Sequence, residues 1–335
     1  LYTKTHHALV DGISAMRLLQ GVLSTDPDKR DMPAPWDART RRKKPVEVTD
    51  GPSGSVSDIP AAAVRSALGI ASEAAGMPGA LVKTLTKGVR NETSSISLYA
   101  PRTIFNRTIT GSRRFAAQDW PVERLRAIGK ATGTTINDVV LAMCSGAVRT
   151  YLQEHDALPD SPLVAMVPVG LRAKESGTAS TEGGNAIGAV MCQLGTDQAD
   201  PADRLEGIHR SMKDGKDALS SMTPTQIMAM SALGQAPAIV APILRMQGIV
   251  RPPYNLIISN VPGPRTTHYW NGAKMVGTYP LSIPINGMAL NITCTSYDGK
   301  MGFGLIGCRR TVPSLQRLLT HLDDEVAALE KAAGI

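Results

Sequence analysis

Aromatic residues are scarce in this sequence: Phe, Trp and Tyr fill 4% of its 335 positions. Stacking platforms for single-stranded nucleic acid are hard to build from so few rings, so nucleic acid is not the expected partner. Cysteine is scarce too. Cys144, Cys192, Cys294 and Cys308 lie far apart and no pair has C-x-x-C spacing, which excludes a zinc knuckle and a dithiol redox motif. Buried free thiols in a reducing cytosol are expected instead. Acidic residues number 29 against 36 Lys and Arg, a net charge of +7. That surplus suits an anionic partner without choosing among membrane, phosphorylated cofactor and nucleic acid. Long hydrophobic runs are missing as well. The most apolar stretch, 232–250, is interrupted by Gln235, Pro237, Pro242, Arg245 and Gln247, short of the roughly 20 residues a spanning helix needs. No basic segment followed by an apolar core follows Leu1, so no secretory signal is visible. A chain that does not span a membrane is the expectation.

What is present suits a packed core: 42% hydrophobic and 19% charged residues, on a length fit for two domains or one large α/β unit. Residues 1–7 alternate as a strand does, Asp11-Gly12 makes a turn, and Ile13, Met16, Leu18, Leu19 and Val22 predict a short helix. From 26 to 60 the chain is punctuated by six prolines and carries the basic run Arg41-Arg42-Lys43-Lys44, which reads as a linker. Residues 61–90 predict two helical pieces. The second sets Leu81, Val82, Leu85 and Val89 against Lys83, Lys87 and Arg90, a basic amphipathic face that suits either an anionic membrane or a solvated surface. A compact unit begins near Pro101. Its expected strands are 113–117, 163–169, 186–194, 254–261, 274–279, 290–297 and 301–308; its expected helices are 122–132, 137–152, 202–220, 225–235 and 314–333, the last with Pro313 at its start. The class is mixed α/β.

Several catalytic signatures are absent. No G-x-S-x-G, H-E-x-x-H or P-loop occurs. Gly302, Gly304 and Gly307 do form a G-x-G-x-x-G, but inside an apolar strand, where it cannot set a pyrophosphate on a helix N-terminus. The informative cluster is His6-His7-Ala8-Leu9-Val10-Asp11-Gly12. Adjacent histidines on a strand point to opposite faces, so they are poorly placed to share a metal, and none is expected. One imidazole facing a cleft can take a proton from a hydroxyl near neutral pH. Asp11 can fix the strand end or the histidine, and Gly12 permits a tight exit. A structural histidine pair remains the alternative at this point.

His-His-x-x-x-Asp-Gly is the hallmark of the superfamily of chloramphenicol acetyltransferase, carnitine acyltransferases and peptide-synthetase condensation domains. More narrowly, the chain resembles the bacterial wax ester synthase/diacylglycerol acyltransferase family. The further segments are Thr135-Ile136-Asn137-Asp138-Val139-Val140-Leu141-Ala142, Val167-Pro168-Val169-Gly170-Leu171-Arg172, Gly184-Asn185-x-x-Gly188, Ser259-Asn260-Val261-Pro262-Gly263-Pro264, and Asn291-Ile292 with Ser296-Tyr297-x-Gly299 and Phe303-Gly304.

That resemblance implies two chloramphenicol-acetyltransferase-like α/β subdomains with a substrate tunnel between them. Residues 1–25 would end the N-terminal subdomain, 26–100 form a linker with the basic helix, and 101–335 make the C-terminal subdomain. It implies His7 as general base, with His6, Asp11 and Gly12 completing the catalytic motif. Asn137, Asp138 and Asn260 would border the substrate, although Asn137 also suits a helix N-cap and 260–264 a turn. The reaction would move a long-chain acyl group from acyl-CoA, a cosubstrate rather than a resident cofactor, to diacylglycerol or a long-chain alcohol. The place would be cytoplasmic, at the inner membrane face or a lipid droplet, where 80–90 and 236–244 could touch lipid. Arg113-Arg114 could attract CoA phosphates or be solvated. The family's usual segment ahead of the histidines, with its Pro-Leu-Trp motif, is not found: Trp36, Trp120 and Trp270 lack that context. The N-terminal subdomain is therefore expected to be incomplete. Two alternatives stay open, a related transferase with an amine or polyketide-alcohol acceptor and a truncated, non-catalytic lipid-binding protein.

Overall fold

The computed structural model describes residues 2–6, 12–34, 100–170, 187–220, 222, 227 and 251–335. The expected helices at 61–90 and 225–235 and the apolar stretch 232–250 lie outside the described residues, apart from Ile227. Helix α1 (Gly12–Gln20) comes first. After it come β1 (Arg113–Pro121), α2 (Val122–Thr132), α3 (Ile136–Gln153), β2 (Val164–Gly170), β3 (Ile187–Gln193), α4 (Pro201–Ser220) and β4 (Leu256–Val261). The two-residue strands β5 (Tyr269–Trp270) and β6 (Ala273–Lys274) form a small hairpin, and β7 (Leu290–Tyr297), β8 (Lys300–Cys308) and α5 (Arg317–Ala332) complete the order.

Six strands make one mixed sheet in the order β1-β8-β7-β4-β2-β3. The central β2, β4 and β7 run parallel, whereas β1–β8, β7–β8 and β2–β3 pair antiparallel. A two-residue turn joins β7 to β8, with Asp298 at φ 46° and Gly299 at φ 80°. Such left-handed pairs match the twist of a hairpin. Pro168 sits inside β2, yet the β2–β4 register ends at Met166, so the missing N–H costs no central ladder bond.

The two faces of the sheet differ. On one, Leu256, Ile258, Leu290, Ile292, Phe303 and Leu305 join α2, α3, α4 and α5 in the main core. Helix α3 is buried along 13 of its 18 residues, as a central helix that is apolar nearly all round must be. On the other face a smaller cluster gathers Ala100, Val164, Met166, Met191, Tyr254 and Met288. There β8 shows glycines, because an irregular strap follows β6 and lies directly on them. A Cβ at Gly304 would stand 1.9 Å from the Pro280 carbonyl oxygen, and one at Gly302 would stand 2.5 Å from that of Thr278. Tyr279 Oη donates to Asp119 Oδ2 at 2.8 Å and Ser282 bonds Thr293 at 3.0 Å, pinning the strap.

Three local expectations are corrected. Residues 2–6 are exposed and carry no strand; their run of Thr, Lys and His offers no apolar face to bury. The strand expected over 274–279 is reduced to its first residue in β6, since Pro280 and Pro284 suit an irregular strap better than a ladder. The last helix begins at Arg317, not after Pro313, because Ser314 adopts φ 50° and interrupts the turn.

Candidate functional site

The N-terminus of α3 is built by a capping box. Thr135 is the N-cap: its Oγ1 accepts from the Asp138 N–H at 3.2 Å, while Asp138 Oδ2 accepts from the Thr135 N–H at 3.0 Å. Two otherwise orphaned donors are thereby satisfied, and a carboxyl group sits at the positive end of the helix. Asn137 is therefore not the cap, which corrects one of its two expected roles. Its side chain, half-buried at the second helical position, accepts instead from Asn260 Nδ2 at 3.4 Å.

Asn260 arrives from the carboxyl end of β4, the end at which open α/β sheets hold ligands. The turn after it is clamped. The Gly263 N–H donates to Ser296 Oγ at 3.1 Å, and a Cβ on Gly263 would lie 2.1 Å from the Ser296 carbonyl oxygen. Only glycine allows that approach. Ser296 thus serves the turn, and Asn291 accepts from Thr293 Oγ1 at 2.9 Å inside the sheet.

Gly12 opens α1 and stands against β4: a Cβ there would be 3.4 Å from Val261 Cγ2. The segment that follows is tied to the β5–β6 hairpin. Ser24 bridges Tyr269, the Met32 N–H donates to Asn271 Oδ1 at 2.7 Å, and Trp270 Nε1 donates to the Pro33 carbonyl at 3.4 Å. The structure thus brings Gly12, Asn260, Asn137 and Asp138 into one connected group, drawn from three distant parts of the chain. His6 lies in the exposed 2–6 segment. His7, Asp11, Leu171-Arg172 and Gly184-Asn185 lie outside the described residues.

One residue of the group was not found from sequence. His209 on α4 places Nδ1 2.8 Å from Asp138 Oδ2. Its only trace in the sequence is a position beside the apolar stripe of Leu205, Ile208 and Met212. Asp138 itself is 1% exposed, and its Oδ1 is buried with no hydrogen-bond partner among the described residues.

Other chemistries find no support nearby. The four cysteines are free and buried; burial pushes the Cys192 thiol up to about 12 and raises those of Cys144 and Cys294, far from a reactive thiolate, whereas at Cys308, at the end of β8, burial is outweighed by hydrogen bonds with Thr311 and Thr110 that bring the thiol down to about 6. Among the described residues no three His, Cys, Asp or Glu side chains gather as a metal set. No described helix is long and apolar enough to cross a membrane. Arg113 is exposed and turns its guanidinium to the carbonyls of Thr110 and Ser112.

Comparison with known proteins places this geometry. Residues 1–140 match the wax ester synthase/diacylglycerol acyltransferase catalytic domain, and residues 183–330 match the WS/DGAT C-terminal domain. A probable diacylglycerol O-acyltransferase (tgs2) of Mycobacterium tuberculosis is 44% identical over 336 residues, covering all of this chain and 71% of its own length. A putative diacylglycerol O-acyltransferase of Mycobacterium bovis is 44% identical over 331 residues, 98% of this chain and 65% of that protein. The solved wax ester synthase/diacylglycerol acyltransferase from Marinobacter aquaeolei VT8 superposes with a TM-score of 0.70 at 41% identity, over 98% of this chain and 67% of that one. Its mixed α/β, chloramphenicol-acetyltransferase-like architecture is the one described above. On its catalytic and C-terminal domains, and on relatives this similar, the chain belongs to the wax ester synthase/diacylglycerol acyltransferase family.

Proposed function

We propose that the chain transfers a long-chain acyl group from acyl-CoA to the hydroxyl of diacylglycerol or a long-chain alcohol, with His7 as general base. The observation that carries this reading is the meeting of Gly12 with β4, one residue from the Asn260–Asn137 contact. It supports a histidine motif delivered to the mouth of the sheet rather than one spent on packing. His7 would take the hydroxyl proton as the oxygen attacks the thioester carbonyl. The tetrahedral intermediate would then collapse, its C–S bond breaking, and the proton would pass from His7 to the departing CoA thiolate. His6, Asp11 and Gly12 would set the base, while Asn137, Asp138 and Asn260 would border the acceptor. No resident cofactor is needed for these steps.

The same reading keeps 1–25, 26–100 and 101–335 as functional parts, and it places the work at the cytoplasmic face of a membrane or lipid droplet, where both substrates gather. The test is acyl transfer from labelled long-chain acyl-CoA with diacylglycerol and hexadecanol in parallel. His7→Ala is expected to lower the rate about 10²- to 10⁴-fold. Equal rates for the variant and the unaltered protein would remove His7 as base; no product with either acceptor would overturn the reading.

A further inference from the structure

We propose that His209 is a positioning residue for acyl transfer: by holding the Asp138 carboxyl group it fixes the first turn of α3 and so presents Asn137 to Asn260. The inference rests on the function proposed above and adds a residue to it.

A capping box needs only its two members, and Thr135 with Asp138 supplies both. Asp138 carries more than that. It is 1% exposed, and a buried carboxylate is costly unless several donors face it. The Thr135 N–H gives one donor, at 3.0 Å to Oδ2. His209 Nδ1 gives the second, at 2.8 Å to the same oxygen. Facing a carboxylate, which only accepts, Nδ1 is the protonated nitrogen. Two donors, one from the cap of α3 and one from α4, converge on one oxygen and fix the rotation of the carboxyl group, and with it the start of α3.

Asn137 shares a peptide unit with Asp138, so whatever orients that first turn orients Asn137 as well. The Asn137–Asn260 contact is long at 3.4 Å and has little strength of its own to hold the geometry. The anchor for His209 is firm. Its neighbours Ile208 and Met212 are 0% and 1% exposed, locking α4 in register, while its own side chain remains 37% exposed. The line from α4 through Asp138 and Asn137 to β4 and Gly12 is thus continuous.

The test compares His209→Phe, which fills the volume without a donor, with His209→Asn, whose amide N–H can stand where Nδ1–H stood. Steady-state acyl transfer and hydrogen exchange over peptides spanning 133–140 are read for each. For His209→Phe, kcat is expected to fall about 10- to 100-fold, the size of effect a small misplacement produces, with KM for acyl-CoA unchanged and faster exchange at the start of α3. His209→Asn should recover most of both. Unchanged kcat and exchange in His209→Phe, or equal losses in both variants that track the melting temperature, would overturn the inference. If the unaltered protein transfers no acyl group, the proposed function fails alone, and the exchange comparison still decides whether His209 holds α3.

Discussion

Asn137 and Asn260 show how a side chain's neighbours decide its use. An asparagine at a helix start is ordinarily a cap, but Thr135 takes that place and leaves the amide of Asn137 to Asn260. Removing either partner separates stability from activity. Asn260→Ala is expected to lower acyl transfer at least tenfold while moving the urea midpoint little, because its bond is long and half-exposed. Thr135→Ala, by contrast, should cost about 1 kcal/mol in urea unfolding and lower transfer as well, since the cap and the site share a turn. The sequence suggested Asn137 as the cap, and the Thr-x-x-Asp box that fills the role emerged only with the structure. So did the partner of its aspartate: His209 and Asp138 are 71 positions apart, and no local period records such a pair.

Between elements, a close joint forms where α3 crosses α5. A Cβ at Gly146 would fall 2.0 Å from Glu325 Cδ, so the glycine makes room for a carboxyl group buried beside Arg204 Nη2 at 2.5 Å. Burial pushes the Glu325 carboxyl up, opposed by Arg204. Gly146→Ala is expected to drive Glu325 away from Arg204 and cost on the order of 3 kcal/mol, the scale of breaking a buried pair, read as a lowered urea midpoint. The far end of α3 meets α5 through Glu154, held from its usual 4.5 down to about 2 by Arg317, against burial, with His321 adding to it. The ionised form is therefore favoured in the folded chain. That contribution is complete above about pH 4.5 and disappears as the pH falls through 2. Urea midpoints of Glu154→Gln and the unaltered protein should differ at pH 6 and converge near pH 2. The bounds of α2 were well marked in the sequence and match their expectation to the residue, since Pro121 and Gly133 flank it, whereas the start of α5 was not. The strap over β8 was not marked, because Val276 and Tyr279 have strand-like side chains while the glycines that admit the strap lie in another segment.

At the scale of the whole molecule, the candidate site is an assembly of α1, α3, α4 and β4, and the family resemblance named most of its residues before geometry joined them. What the resemblance could not supply was the join itself, the close placing of Gly12 against Val261, where a Cβ would stand 3.4 Å from Cγ2. The anchoring of 12–34 on the β5–β6 hairpin also imposes an order in time. Met32 and Asn271 stand 239 positions apart, so the segment 12–34 waits for its dock until the hairpin has emerged from the ribosome. Closing so long a loop costs entropy that nearby contacts cannot offset early. A nascent chain halted before residue 269 therefore holds α1 and the segment after it with no hairpin to dock on.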